Sequence, residues 1–127
     1  MNCPCRSPAD ALPWAACCGC YHAGPLHLQA PNAEALMRSR YSAFVRDALD
    51  YLLATWHPST RPAALEPNQP GLKWLGLEVR RHTATDADHA TVEFVARHKL
   101  GGRAERLHEI SRFVRKEARW FYVDGAG

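Results

Sequence analysis

Residues 90–124, ATVEFVARHKLGGRAERLHEISRFVRKEARWFYVD, carry the strongest fold signal in this chain. Residues 92–97 alternate between two sets of side chains: the apolar set Val92, Phe94 and Ala96, and the mixed set Glu93, Val95 and Arg97. A period of two is typical of a strand with one buried face, and Gly101-Gly102 predicts a tight turn between two such strands. Residues 72–82 have a similar rhythm. The sequence thus predicts four antiparallel strands, over residues 72–82, 90–99, 104–115 and 119–124.

Two helices are predicted before the strands. The first carries an apolar stripe at helical spacing: Met37, Tyr41, Phe44 and Val45. Asn32 is its predicted N-cap. The second runs from Ala48 to about Trp56 and ends before Pro58, because the residue before proline avoids the helical region. Helices followed by a meander predict an α+β domain, with two N-terminal helices packed on one face of a curved, antiparallel four-stranded sheet.

Cysteines are confined to the first twenty of the 127 residues: Cys3, Cys5, Cys17, Cys18 and Cys20. Their odd number, and a length sufficient for a core without covalent links, argue against a disulfide framework. Two close pairs of thiols suit a tetrahedral zinc ion with a structural role. We predict one zinc ion per chain, held by Cys3, Cys5, Cys17 and Cys18, with Cys20 and His22 as spare donors. Free buried thiols and an iron–sulfur cluster are the alternatives.

Composition and charge bear on location and partners. No apolar run is long enough to cross a membrane, and the N-terminus lacks the apolar stretch of a secretion signal, so we expect a soluble cytoplasmic protein. The formal net charge is +3. Eleven of the sixteen Lys and Arg residues lie between Lys73 and Arg119, but acidic residues of the same half nearly balance them. This balance argues against a nucleic-acid partner, and the oligomeric state is left open.

A polar cluster is predicted between the first helix and the sheet. Arg38 and Arg40 lie about 200° apart on the helix, so one of them faces inward. A buried guanidinium needs a carboxylate, and Glu109 shares the core-facing side of its strand with Phe113. An ion pair that orients the helix on the sheet is one interpretation. The other is a ligand pocket lined by Arg38, Tyr41, Trp56 and Glu109. No catalytic motif stands out, so no catalytic residue is predicted.

Motifs along nearly the whole chain resemble those of the YchJ-like family of uncharacterised bacterial proteins. They include LMRSRY at 36–41, TWHPS at 55–59, WLGL at 74–77, FVAR at 94–97, SRFV at 111–114 and WFYVDG at 120–125. The resemblance implies a SEC-C zinc knuckle over residues 1–24, a motif also found at the C-terminal end of the SecA translocation ATPase. It also implies a cone-shaped domain similar to nuclear transport factor 2 (NTF2) over residues 25–127.

The resemblance implies a fold and a metal, but no established activity. Its SEC-C pattern normally has Gly-Ser-Gly after the second cysteine, whereas Arg6-Ser7-Pro8 stands here. The knuckle serves as a docking element in the translocation ATPase, so a metal-stabilised protein-interaction module is our first expectation. The alternative is a small-molecule binder or enzyme that uses the cavity of the cone.

Overall fold

The computed structural model describes residues 1–126 and has the predicted α+β architecture. Its helices are α1 (Gly19–His22), α2 (Ala33–Val45) and α3 (Leu49–Ala54), with two 3-10 turns at Pro8–Asp10 and Trp14–Ala16. Its strands are β1 (Lys73–Asp86), β2 (His89–Leu100), β3 (Arg103–Lys116) and β4 (Arg119–Ala126), paired antiparallel in the order β1-β2-β3-β4. The helices pack on this open sheet. None of the described helices is long and apolar enough to span a membrane.

Helix α2 begins and ends at recognisable caps. The Asn32 side-chain oxygen accepts a hydrogen bond from Ala35 N at 2.8 Å, which confirms the predicted N-cap. At the other end Asp47 has a φ of 54°, and Ala48 N donates to Ala43 O at 2.8 Å. This left-handed residue closes the helix as glycine often does. The caps fix the length of the helix that covers the sheet.

Tight turns set the register of the sheet. Gly101 and Gly102 have φ values of 60° and 80°, the conformation that a two-residue hairpin turn requires. The resulting register pairs Phe94 with Glu109 and Ala96 with Leu107. These side chains therefore share the face that α2 covers, and Glu109 is a charged group on a largely apolar surface.

A short parallel pairing links α3 to the last strand. Tyr122 N donates to Thr55 O, and His57 N donates to Tyr122 O, both at 2.8 Å. Trp56 and Tyr122 thereby form a parallel bridge, and their rings meet edge to face with centroids 5.0 Å apart. The segment after α3 thus closes one side of the cone. This long-range pairing has no signature in the local sequence.

The N-terminal segment shares its core with the cone. Its two arms are held together by hydrogen bonds from Cys3 N to Leu12 O and from Trp14 N to Met1 O, both 2.8 Å. The buried cysteines belong to the same apolar cluster as Leu36 of α2 and Phe94 of β2. Residues 1–24 therefore do not project from the fold as a separate lobe.

Candidate functional site

The four cysteines predicted as metal ligands converge in the structure. The Sγ atoms of Cys3, Cys5, Cys17 and Cys18 all lie within 4.8 Å of one another. Cys5 Sγ lies 3.5 Å from the sulfurs of Cys3 and Cys18 and 3.6 Å from that of Cys17. Sulfurs bound to a tetrahedral metal ion at about 2.3 Å lie about 3.8 Å apart. The donor set suits one tetrahedral ion, and burial of all four residues closes the site to further ligands.

Crowding of these thiols also favours a bound cation. Hydrogen bonds from Cys18 and Cys5 lower the pKa of Cys3, while contact with the Cys3 sulfur raises the pKa of Cys18 far above its usual range. Adjacent thiols cannot all ionise without a compensating charge. A metal ion supplies that positive charge, so that all four thiols can ionise together.

Neighbouring side chains support the cluster, and sequence reasoning missed them. Ser42 Oγ lies 3.5 Å from Cys3 Sγ, and Arg38 Nη1 donates to the carbonyl of Cys5 at 3.0 Å. Arg6 lies beside Cys17, whose sulfur raises the pKa of the guanidinium. Second-layer contacts of this kind orient ligands. Helix α2 therefore anchors the cluster from two positions, one turn apart.

The spare donors point elsewhere. Cys20 Sγ donates to Cys17 O at 2.9 Å. His22 Nε2 donates to Ser39 O at 2.8 Å, and its ring stacks on Tyr51 with centroids 4.2 Å apart. Burial lowers the pKa of His22. Neither residue joins the group of four donors within residues 1–126, and His22 instead locks the N-terminal segment onto α2.

A cavity of about 320 Å³ lies between α2 and the sheet. Aromatic side chains form much of its wall: Tyr41, Phe44, Trp56, Trp74, Phe94, Phe113 and Tyr122. The polar residues of the lining are Arg40, Glu66, Asn68 and Glu109. Asn68 binds the loop before β1 to α2, because its side-chain amide donates to Phe44 O at 2.6 Å. The cavity is partly enclosed, and it is the kind of space that small ligands occupy.

The expectation that Arg38 lines this cavity was wrong. Arg38 instead pairs with Glu34 at 3.0 Å and reaches the cysteine cluster. Arg40 is the inward arginine, with only 4% of its surface exposed. The two positions point to opposite sides of α2, as predicted, and tertiary packing decided which side faces the sheet. Tyr41, Trp56 and Glu109 do line the cavity.

The predicted ion pair between the inward arginine and Glu109 does not form. Within residues 1–126, no Arg40 nitrogen lies within 4.0 Å of a carboxylate oxygen. Ser111 Oγ donates to Glu109 instead, and the carboxylate packs so closely over Gly125 that a Cβ there would overlap it. Burial first, and the charge of Glu109 second, raise the pKa of Tyr122 to about 12. The Glu109 side chain is therefore held on the sheet by Ser111, and its charge acts on Arg40 without an ion pair between them.

Charges elsewhere on the sheet are mixed in sign. Arg80 contacts Glu78 at 3.0 Å, Arg115 contacts Asp88 at 3.1 Å, and His108 contacts Glu93 at 2.7 Å. Such exposed pairs contribute little to stability. Their presence shows that the basic residues of this half are interspersed with carboxylates, in line with the charge balance of the sequence.

The fold and the cysteine cluster together define a class of protein: an NTF2-like α+β cone with an N-terminal cysteine knuckle. A family model described as YchJ, middle NTF2-like domain, matches residues 32–125. The chain belongs to this YchJ-like family, whose relatives include proteins named UPF0225.

Relatives and solved structures match the chain over nearly its whole length. A UPF0225 protein of Bordetella pertussis is 64% identical over 98% of this chain and 91% of its own. The solution structure of a SEC-C motif containing protein from Rhodopseudomonas palustris has a TM-score of 0.83 at 31% identity, covering 100% of this chain and 98% of that one. The crystal structure of a SEC-C motif containing protein from Psychrobacter arcticus has a TM-score of 0.80 at 33% identity, covering 98% and 81%.

Proposed function

We propose that this protein is a metal-stabilised binder of small molecules, with the cavity beneath α2 as its binding site. In this proposal residues 1–24 form a metal-binding unit, and residues 25–127 form the cone that holds the ligand. The observation that carries it is the aromatic cavity of about 320 Å³ with a few inward polar groups. A wall of this composition is typical of ligand sites. We place the protein in the reducing cytoplasm, where the unpaired thiols of residues 1–24 persist.

Zinc is the metal that we propose for the cysteine cluster, at one ion per chain. Four thiolates are a common zinc donor set, and a site without an open position is structural. The ligands would be Cys3, Cys5, Cys17 and Cys18. When bound, the ion would hold the two arms of the N-terminal segment against α2 by neutralising the thiolates. No chemistry at the cavity is assigned to it.

Filling the cavity tests the binding function. Leu107 lines the cavity and is 45% exposed, so tryptophan there enters the cavity without disturbing a buried core. Single-ring compounds should shift the indole NMR signals of Trp56 and Trp74 in the wild type. The binding affinity obtained from these shifts should be at least about tenfold lower in Leu107→Trp. Ile110→Trp is the matched control, because Ile110 is 43% exposed and alternates to the opposite face of the same strand. Equal binding by both variants would refute the proposed site.

Protein docking through the N-terminal segment is the second candidate function. It is favoured by exposed apolar side chains beside the knuckle: Met1, Leu12 and Leu26. Exposed apolar patches often mark interaction sites. A pull-down with Leu12→Asp/Leu26→Asp, which leaves the four cysteines intact, should lose partners that the wild type retains. The same partners should be lost with Cys17→Ser/Cys18→Ser. An unchanged set of partners in both variants would exclude docking through this surface.

A further inference from the structure

Arg40 is a buried charge that forms no ion pair within residues 1–126, although the charge of Glu109 favours its protonated form. Its Nη1 atom donates to Leu52 O at 2.8 Å and to Thr55 Oγ1 at 2.7 Å. The guanidinium carbon lies 4.5 Å from the ring centroid of Tyr122 and 5.0 Å from that of Trp56. These aromatic faces offset part of the cost of removing the charge from water. They do not replace an anion, and a buried charge normally has one.

The rest of the guanidinium is free to bind a ligand. Among residues 1–126, neither Nε nor Nη2 of Arg40 has a protein acceptor, and neither atom is sealed from solvent. Arg40 also lines the cavity beneath α2, which is the space that is open to these two atoms. Trp56, which also lines the cavity, has a buried indole N–H without an acceptor. That indole N–H is sealed from solvent, so within the described residues the donors that a ligand in the cavity can reach are those of Arg40.

The charge of Arg40 persists at neutral pH. Burial lowers its pKa to about 10, which still leaves the guanidinium protonated at pH 7. The protein therefore keeps a cation in an aromatic pocket, where a low dielectric strengthens its attraction for an anion. Two carboxylates of the lining act in the opposite direction by repelling anions: Glu109 on the facing sheet, and Glu66, which is exposed and therefore screened by water. A ligand carboxylate in direct contact with the Arg40 guanidinium interacts more strongly with that charge than with Glu109, because the Coulomb energy falls with distance.

The size of the cavity limits the ligand. An apolar cavity of about 150 Å³ is sufficient for benzene, so 320 Å³ accommodates a single ring with a substituent. Planar rings also stack well on the aromatic side chains of the wall. We propose that the cavity selects small aromatic or unsaturated carboxylates, with the carboxylate bound to the free edge of Arg40 and the apolar body against the aromatic wall. This inference rests on the proposed binding function and adds the chemical class of the ligand.

Three single-ring probes of similar size and different charge test the proposal. Benzoate, benzamide and benzylamine are titrated into the zinc-loaded, full-length protein, and the indole NMR signals of Trp56 and Trp74 are followed. Those of Trp14 and Trp120, which do not line the cavity, serve as internal controls. Benzoate should bind at least about tenfold more tightly than benzamide, because a hydrogen bond to a charged group is lost in the amide. Benzylamine should bind most weakly.

Two variants test whether the preference for benzoate comes from the charges of Arg40 and Glu109. Arg40→Met should abolish the preference for benzoate over benzamide. It should still fold, because Thr55 Oγ1 keeps its own acceptor, Tyr51 O at 2.8 Å, and lies 3.3 Å from Leu52 O, the other group that Arg40 leaves. Glu109→Gln should increase benzoate affinity several-fold by removing the repulsive charge, and it keeps an acceptor for Ser111. This second variant tests the proposal even if Arg40→Met fails to fold.

The outcomes separate this inference from the proposed function. Benzamide or benzylamine binding as tightly as benzoate would overturn the carboxylate preference and leave small-molecule binding in place. A benzoate preference that survives in Arg40→Met, or a loss of affinity in Glu109→Gln, would also overturn it. Absence of any indole shift with all three probes would count against both.

Discussion

Cys5→Ser is expected to abolish metal binding and to destabilise the protein strongly. Cys5 Sγ contacts the other three sulfurs of the cluster, and the residue is fully buried. Serine leaves three ligands and a buried hydroxyl. Binding of a structural metal is coupled to folding, so its loss should cost at least about 3 kcal/mol. For a domain of this size, we expect the midpoint of thermal unfolding to fall by about 10 °C or more.

Metal analysis and calorimetry of the same samples test this expectation. Wild-type protein purified without added metal should contain about one zinc ion per chain, and Cys5→Ser should contain none. Cys20→Ser is the matched control, because Cys20 lies outside the group of four sulfurs and should keep both the metal and the melting temperature. A full zinc equivalent in Cys5→Ser would show that the cluster is not the binding site.

Leu36→Ala is expected to weaken the cone and the cysteine cluster together. Leu36 is one of the largest fully buried side chains and belongs to the apolar cluster that contains all four cysteines. Truncation of a buried leucine leaves a cavity and costs about 2–5 kcal/mol. Because residues 1–24 share this core, the metal should also pass to a chelator several-fold faster than in the wild type.

Urea unfolding and the rate of zinc transfer to a coloured chelator measure the two effects. Leu107→Ala is the control, because Leu107 is half-exposed at the cavity and outside the shared cluster. It should lose less than about 1 kcal/mol and transfer zinc at the wild-type rate. If Leu36→Ala loses stability without faster transfer, the knuckle is energetically independent of the cone.

Local patterns accounted for the elements of the fold. Alternation along residues 90–99, the Gly101-Gly102 turn and the Asn32 cap depend on neighbours in the chain, so they could be read without a structure. Helix α1 was missed because four residues are too few to show a helical period. The parallel bridge between Trp56 and Tyr122 was missed because it joins distant segments by backbone hydrogen bonds.

The candidate sites were also predictable only where they depend on residues close together in the chain. The cysteine spacing predicted a group of thiols, and the structure brings their sulfurs within 4.8 Å of one another. The supporting contacts of Ser42 and Arg6 were not predicted, because they depend on how α2 and the segment after Cys5 pack against the cysteine cluster. For the cavity, the sequence placed one arginine inward without deciding between Arg38 and Arg40. The sequence also suggested an ion pair between that arginine and Glu109, whereas Glu109 accepts a hydrogen bond from Ser111.

By itself, the sequence determined the α+β class, the helix cap, the hairpin turn and the clustering of thiols, because each follows from residues close together in the chain. Only the tertiary structure decided that Arg40 faces the sheet, that no carboxylate of residues 1–126 pairs with it and that aromatic side chains leave space beside it. Those features depend on the rotation of α2 and on the pairing of Trp56 with Tyr122, which are set by packing across the whole domain.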